Sequence, residues 1–162
     1  MYKILNRFDK INFMRNDEYF MNLALEEAKK AFTLGEVPVG AVIVNNLTHE
    51  VVSKAHNLKE TNQKVMAHAE MIAIEEANKI NKSWRLENHT LYVTLEPCSM
   101  CASAIIQSRI DRVVIGTMEP KMGSLGSVID LTKEFKSNTT IKSGVLKSEC
   151  EELLITFFQR IR

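Results

Sequence analysis

His68-Ala69-Glu70 and, further along the chain, Pro97-Cys98-Ser99-Met100-Cys101 hold the side chains best suited to reactivity. One imidazole and two thiolates form a donor set suited to zinc. Three protein ligands, His68, Cys98 and Cys101, leave one tetrahedral position open, the arrangement of a catalytic rather than a structural ion. A structural site would need a fourth side chain, and Cys150, His56 and His89 stand at no metal-ligand spacing from the motif. Glu70 is then a carboxylate left off the metal, able to take a proton from an activated water and hand it on. Either half alone is compatible with an inert buried cysteine pair or a chance H-x-E. Their combination, with Pro97 ahead of the cysteines, points to a reaction centre.

Such a centre needs particular local structure. Residues three apart share a helical face, so Cys98 and Cys101 converge if both lie in the first turn of a helix, where the positive end of the dipole also favours thiolates. His68 and Glu70, two apart, would diverge by about 200° around an ideal helix, so they serve one centre only at its very start. Apolar periodicity predicts helices over 17–33, 67–81, 97–108 and 148–161, and strands over 40–44, 51–53, 90–95, 112–116 and 140–145. Asp17 reads as the N-cap of the first helix, whose apolar face carries Phe20, Leu23, Ala24, Ala28, Ala31 and Phe32. The second buries Ile72, Ala73, Ala77 and Ile80. Glu96, preceding a proline, is expected to be extended, and Pro97 to open the third helix.

The first two strands read as a hairpin turning at Asn45, Asn46 and Thr48, with His49 exposed in the turn. A loop with glycines at 116, 123 and 126 runs to Ser127. Strand, helix, strand, helix, strand between Val51 and Ile115 implies parallel pairing through crossover helices. The fold class is α/β, a three-layer α/β/α sandwich with a central mixed sheet of about five strands.

At 162 residues, 45% hydrophobic and 25% charged, the chain suits one domain with a single sizeable core. Its 21 basic and 20 acidic residues nearly cancel, which excludes a global field for nucleic acid and leaves any RNA contact to a local patch. Three cysteines, two of them in one C-x-x-C, argue for metal binding in a reducing compartment, with Cys150 a small apolar residue of the closing helix. Residues 1–16, with Lys3, Arg7, Asp9, Lys10 and Arg15, lack the apolar segment of a secretory signal, and no run approaches the length of a membrane span. The expectation is a cytoplasmic protein with an N-terminal extension, 1–16, and a single domain, 17–162.

The paired motifs carry the H-x-E…P-C-x-x-C signature of zinc nucleobase deaminases, which by itself leaves cytidine, deoxycytidylate, guanine, pterin-like and adenosine substrates open. From Asp17 to Arg162 the chain resembles the bacterial tRNA-specific adenosine deaminases. The matching segments are Glu36-Val37-Pro38-Val39-Gly40-Ala41-Val42, Asn57, Ala67-His68-Ala69-Glu70, Leu91 to Ala102, Ser108-Arg109-Ile110, Pro120-Lys121 with Gly123, Gly126-Ser127, and Leu153-Leu154 with Phe157-Phe158. Guanine deaminases share the zinc segments, so the discriminating weight lies on the first segment, the glycine loop and the C-terminal pair.

The resemblance implies hydrolytic deamination of the wobble adenosine in a tRNA anticodon loop to inosine, with release of ammonia. It implies a homodimer holding one Zn²⁺ per subunit, in which Glu70 delivers a proton from water to a ring nitrogen and later protonates the departing amine. It assigns substrate contacts to Glu36, Asn57 and Ala67, to Glu119 as an acceptor for a ribose 2′-hydroxyl, and to Phe158 and Arg160 as partners of loop nucleotides. Adjacent phenylalanines cannot share a helix face, so one of Phe157 and Phe158 is expected in the core and the other is left available for RNA. The chain departs from the family at Lys64-Val65-Met66, where Asp-Pro-Thr is common, at Ser103 for a usual glycine and at Glu119 for aspartate. These departures touch the pocket entry and RNA affinity and leave the zinc chemistry alone. Two competing readings are a deaminase of free guanine or cytosine compounds, which needs no stem-loop, and a non-catalytic RNA-binding module that keeps zinc for folding.

Overall fold

The computed structural model describes residues 15–162; of the expected extension over 1–16, residues 1–14 lie outside them. Five strands, β1 (Gly40–Asn45), β2 (Val51–His56), β3 (His89–Leu95), β4 (Arg112–Thr117) and β5 (Thr140–Ser143), form one sheet in the order β2-β1-β3-β4-β5. Four main helices, α1 (Asp17–Thr33), α3 (Ala69–Asn81), α4 (Ser99–Gln107) and α6 (Lys147–Arg160), cover it, with single turns α2 (Lys59–Asn62) and α5 (Leu131–Glu134) in the connections.

Side-chain alternation sorts the layers, because successive strand residues point to opposite faces. Ala41, Ile43, Leu91, Val93, Val113 and Ile115 pack with Ala73, Ile74 and Ala77 of α3 and Ala102, Ile105 and Ile106 of α4. Val42, Val44, Tyr92 and Val114 pack with Phe20, Met21, Ala24 and Leu25 of α1 and Cys150 of α6. Burial on both faces explains why β1, β3 and β4 read as nearly unbroken apolar runs. The three-layer α/β/α sandwich with a mixed five-stranded sheet is the architecture found.

The sheet order corrects one expectation. Parallel pairing holds for β3 with β4 and β4 with β5, but β1 lies between β2 and β3 and is antiparallel to both. The more apolar strand of the hairpin takes the inner place; β2, whose Val51 and Lys54 are exposed, takes the edge.

Helix starts shift as well. Asn16, not Asp17, caps α1 by accepting from the Tyr19 N–H at 3.0 Å. Asp17 is recruited elsewhere: Arg112 grips it through two hydrogen bonds of 2.9 and 2.8 Å, Lys142 at 2.6 Å and the Tyr92 hydroxyl at 2.9 Å. This ties the first turn of α1 to β3, β4 and β5. α3 starts at Ala69 and α4 at Ser99, leaving His68 and Cys98 extended and Pro97 ahead of the helix it was expected to open. In α3, Ile74 is buried and Ile80, in the last turn, is exposed. His49 is half-buried with a positive φ of 59°. Cys150 is buried in α6 as expected.

Candidate active site

Two helix starts meet on one side of the sheet. His68 caps α3 in an extended conformation (φ −77°, ψ 150°) and Cys98 caps α4 likewise (φ −70°, ψ 175°). Extended caps throw their side chains past the helix ends, so both reach a common point that Cys101, buried in the first turn of α4, approaches from its own helix. His68 Nδ1 lies 3.7 Å from Cys98 Sγ and 3.5 Å from Cys101 Sγ, and the three donor atoms fall within 4.8 Å of one another. Zinc bonds of ~2.0–2.1 Å to nitrogen and ~2.3 Å to sulfur, meeting at the tetrahedral angle, require N···S separations of about 3.6 Å. The donor set and its spacing therefore fit one zinc ion.

Electrostatics agree. The Cys98 thiol is pushed down to about 3, first by its hydrogen bond with Cys101 and then by His68, with burial opposing. Cys101 keeps the proton the two sulfurs share, so its own ionisation moves up. The bond to Cys98 raises the His68 imidazole in turn. A thiolate held at a helix start beside an imidazole is a metal ligand ready to bind.

Glu70 sits in the first turn of α3, 4% exposed and outside the three-donor cluster. Burial pushes its carboxyl up to about 7, the charge of Cys98 adding to the rise and His68 opposing it. The expected divergence of His68 and Glu70 is avoided as the spacing required, because one is the cap and the other the second helical residue.

A cavity of about 250 Å³ opens onto this point, and Asn57, His68, Glu70, Glu96, Cys98 and Glu119 contribute to its walls. Its volume is below the ~300–1,000 Å³ of drug-sized clefts, which suits one small ring system. A roomier cleft of about 600 Å³ beside Trp84 and Phe135 has no metal-binding side chain in its walls; the chemistry lies with the smaller one.

The remaining sequence candidates fall into two groups. Asn57 and Glu119 reach the cavity. Asn57 donates to the Val37 carbonyl at 3.2 Å and accepts from the Lys59 N–H at 3.1 Å, and one Glu119 carboxylate oxygen accepts from the Lys121 N–H at 2.9 Å. Glu36, Ala67, Phe158 and Arg160 do not line it. Glu36 is buried behind α2, where Oε1 accepts from the Thr61 N–H at 2.5 Å and Oε2 has no hydrogen-bond partner among the described residues. Ala67 pairs its backbone with Leu58 and Lys64. In α6, Phe157 is buried and Phe158 is 43% exposed, dividing the adjacent pair as expected, while the Arg160 guanidinium lies 4.6 Å over the Phe32 ring.

Glu96, Lys59 and Met122 also line the cavity and were not among the candidates. A signal existed for Glu96: an acid ending the apolar run Leu91-Tyr92-Val93-Thr94-Leu95 must find donors if it is buried.

Residues 14–117 match the family model of the cytidine and deoxycytidylate deaminase zinc-binding region. Over 151 residues the chain is 50% identical to the tRNA-specific adenosine deaminase of Bacillus subtilis (strain 168), with 92% of each chain covered. The chain belongs to the tRNA-specific adenosine deaminase family. The Haemophilus influenzae family member is 47% identical over 148 residues, covering 90% of this chain and 85% of that one. A solved structure from work on A-to-I editing by tRNA:A34 deaminases has a TM-score of 0.80 at 38% identity, covering 84% of this chain and 99% of that one. The guanine deaminase of Nitrosomonas europaea, at 18% identity and a TM-score of 0.77 over 86% of this chain and 83% of that one, shares the architecture alone. Membership in this deaminase family makes the chain a hydrolase, and the three-donor cluster suits one zinc per chain. Among the described residues, no helix is long and apolar enough to cross a membrane.

Proposed function

We propose that this chain hydrolyses the wobble adenosine of a tRNA anticodon loop to inosine, releasing ammonia. The observation that carries the reading is Glu70, buried beside the His68, Cys98 and Cys101 donors but apart from them, at the wall of a base-sized cavity. The name of the Bacillus subtilis relative supplies the substrate class.

In this reading His68, Cys98 and Cys101 hold zinc, which when bound supplies Lewis acidity that brings the pKa of a water toward ~7. Glu70 takes one proton from the attacking water and carries it to adenine N1, then takes the second from the oxygen added at C6 and passes it to the exocyclic amine as it leaves as ammonia. Water adds to C6, the C6–N6 bond breaks, and the oxygen stays on the ring. Burial at Glu70 favours a carboxyl that can both accept and release a proton near neutrality. A single-stranded loop lets the base enter without the full cost of unpairing a duplex. Asn57 and Glu119 are the polar groups for the inserted nucleotide and its ribose, with Glu36 and Ala67 supporting from behind. Phe158 and Arg160 are assigned to flanking loop nucleotides, by stacking and phosphate contact.

The catalytic unit is residues 17–162, with 1–16 an addition to it. It works as a homodimer in the cytoplasm, where its three free cysteines stay reduced. The exposed Trp84 and Phe135 flank a cleft that a second copy can cover; light scattering that reports a monomer at micromolar concentration removes the dimer.

The deciding experiment incubates the purified protein with an adenosine-containing anticodon stem-loop and analyses the nucleosides, with guanine and cytosine compounds in parallel. Inosine from the RNA is the expected result. Turnover of a free base with no inosine from RNA overturns the reading.

A further inference from the structure

Glu96 is a second buried carboxylate of the cavity and takes no part in the reaction above. It follows the last residue of β3, is 2% exposed, and stands two positions before Cys98. Four donors converge on it, all from one loop. The Glu119 N–H donates to Oε2 at 2.9 Å, the Leu125 and Ser127 N–H groups donate to Oε1 at 3.1 and 3.0 Å, and the Ser127 hydroxyl donates to Oε2. On the same segment the Pro97 carbonyl accepts from the Ser124 N–H at 2.9 Å. The loop comes so close that a methyl group at Gly123 would overlap Glu96 Oε2 and the Glu119 carbonyl oxygen.

We propose that Glu96 is a positioning residue for the substrate. It fastens the 119–127 loop to the turn carrying Cys98, and so holds Glu119 and Met122, both of which line the cavity, at a set distance from the reacting atoms. The carboxylate can do this because it is a pure acceptor with room for four donors, whereas an amide at the same place is half donor. None of the four donors belongs to the sheet or to α3 or α4, so losing them frees one wall of the cavity and leaves the metal ligands supported.

The inference rests on the deaminase reading, and its test separates the two. Glu96→Gln keeps the size of the side chain. The amide serves best with its oxygen toward Leu125 and Ser127 and its NH2 toward the Ser127 hydroxyl, which can turn to accept. Glu119 N–H alone then loses its partner. KM for the stem-loop is expected to rise about tenfold, the size of one lost hydrogen bond to a charged group, with kcat changed less than about threefold and one zinc per chain retained. Gly123→Ala, which pushes the loop off an intact carboxylate, gives the same split. The double variant is no worse than the poorer single one, because both break the same contact.

Ser127→Ala, which removes one donor of four, raises KM by about threefold. If Glu96→Gln does not fold, the other two variants decide by the same criterion. Unchanged KM in the variants that fold, or a fall in kcat and zinc content at constant KM, overturns the positioning role. The unaltered protein run beside them reports on the reaction itself: if it makes no inosine, the deaminase reading fails and not this one.

Discussion

The metal side and the substrate side of the cavity are built by opposite means. His68, Glu70, Cys98 and Cys101 stand on the first turns of two helices that pack against the sheet, so their positions follow from local backbone geometry and from the core beneath. The opposite rim is made of the loops around 57–66 and 118–127, the second of which sends Leu125 into the core and packs Met118 against it. Long-range hydrogen bonds to buried acids hold it, Glu36 for the first loop and Glu96 for the second. Chemistry is thus placed by secondary structure, and recognition by a few polar fastenings. The metal side should fail completely when touched, and the rim should fail by degrees.

The largest expected effect is at the ligands. Cys101→Ala removes a buried donor; turnover disappears, metal analysis finds less than one zinc per chain, and the melting temperature falls. Next comes Glu70→Gln, which is expected to lower kcat by about 10³-fold while zinc content and melting temperature stay put. Loss of zinc in that variant would mean that Glu70 supports the ligands, and the division between ligand and proton carrier would fall. Further out, Arg160→Ala at the end of α6 is expected to weaken stem-loop binding severalfold and to reduce the salt slope by about one, visible in a titration at several ionic strengths. An unchanged slope would remove α6 from the RNA contact.

The smallest effect on catalysis is expected at Asp17, which belongs to neither side. The Arg112 guanidinium, with Lys142 and Tyr92, holds its carboxyl well below the usual carboxylate range, although burial opposes. A depressed native value means that its stabilisation is complete above the unfolded value of ~3.9 and is lost as the pH falls below it. Asp17→Asn should therefore lower the melting temperature at pH 7, the gap should narrow below about pH 4, and kcat should not change. A gap that widens in acid would contradict the ion-pair account.

This contrast also explains what could be read from the amino-acid order. The ligand spacing and the need for two helix starts were legible because they involve residues within four positions of one another. The α/β class and its five strands were legible from alternating apolar runs. The insertion of β1 between β2 and β3 was not, since local pattern describes a strand and not its neighbours. Asn16 and Asp17 are both good capping residues, and the choice between them was made by Arg112 and Lys142, far away in the chain. Glu96 read only as the residue before a proline; its four donors come from residues 119–127, and nothing near it in the chain announces them.

Gly116 in β4 carries a consequence for α6. A methyl group there would overlap Cys150 Sγ and the Thr94 carbonyl oxygen, so the helix rests directly on the strand at that point. Ten residues separate this fulcrum from Arg160, a lever of ~15 Å at 1.5 Å per residue. A tilt of about 5° at residue 150 would swing the tip that bears Phe158 and Arg160 by about 1.3 Å. The missing side chain at position 116 thus calibrates, from the far end of a rigid arm, where an aromatic face and a guanidinium are presented.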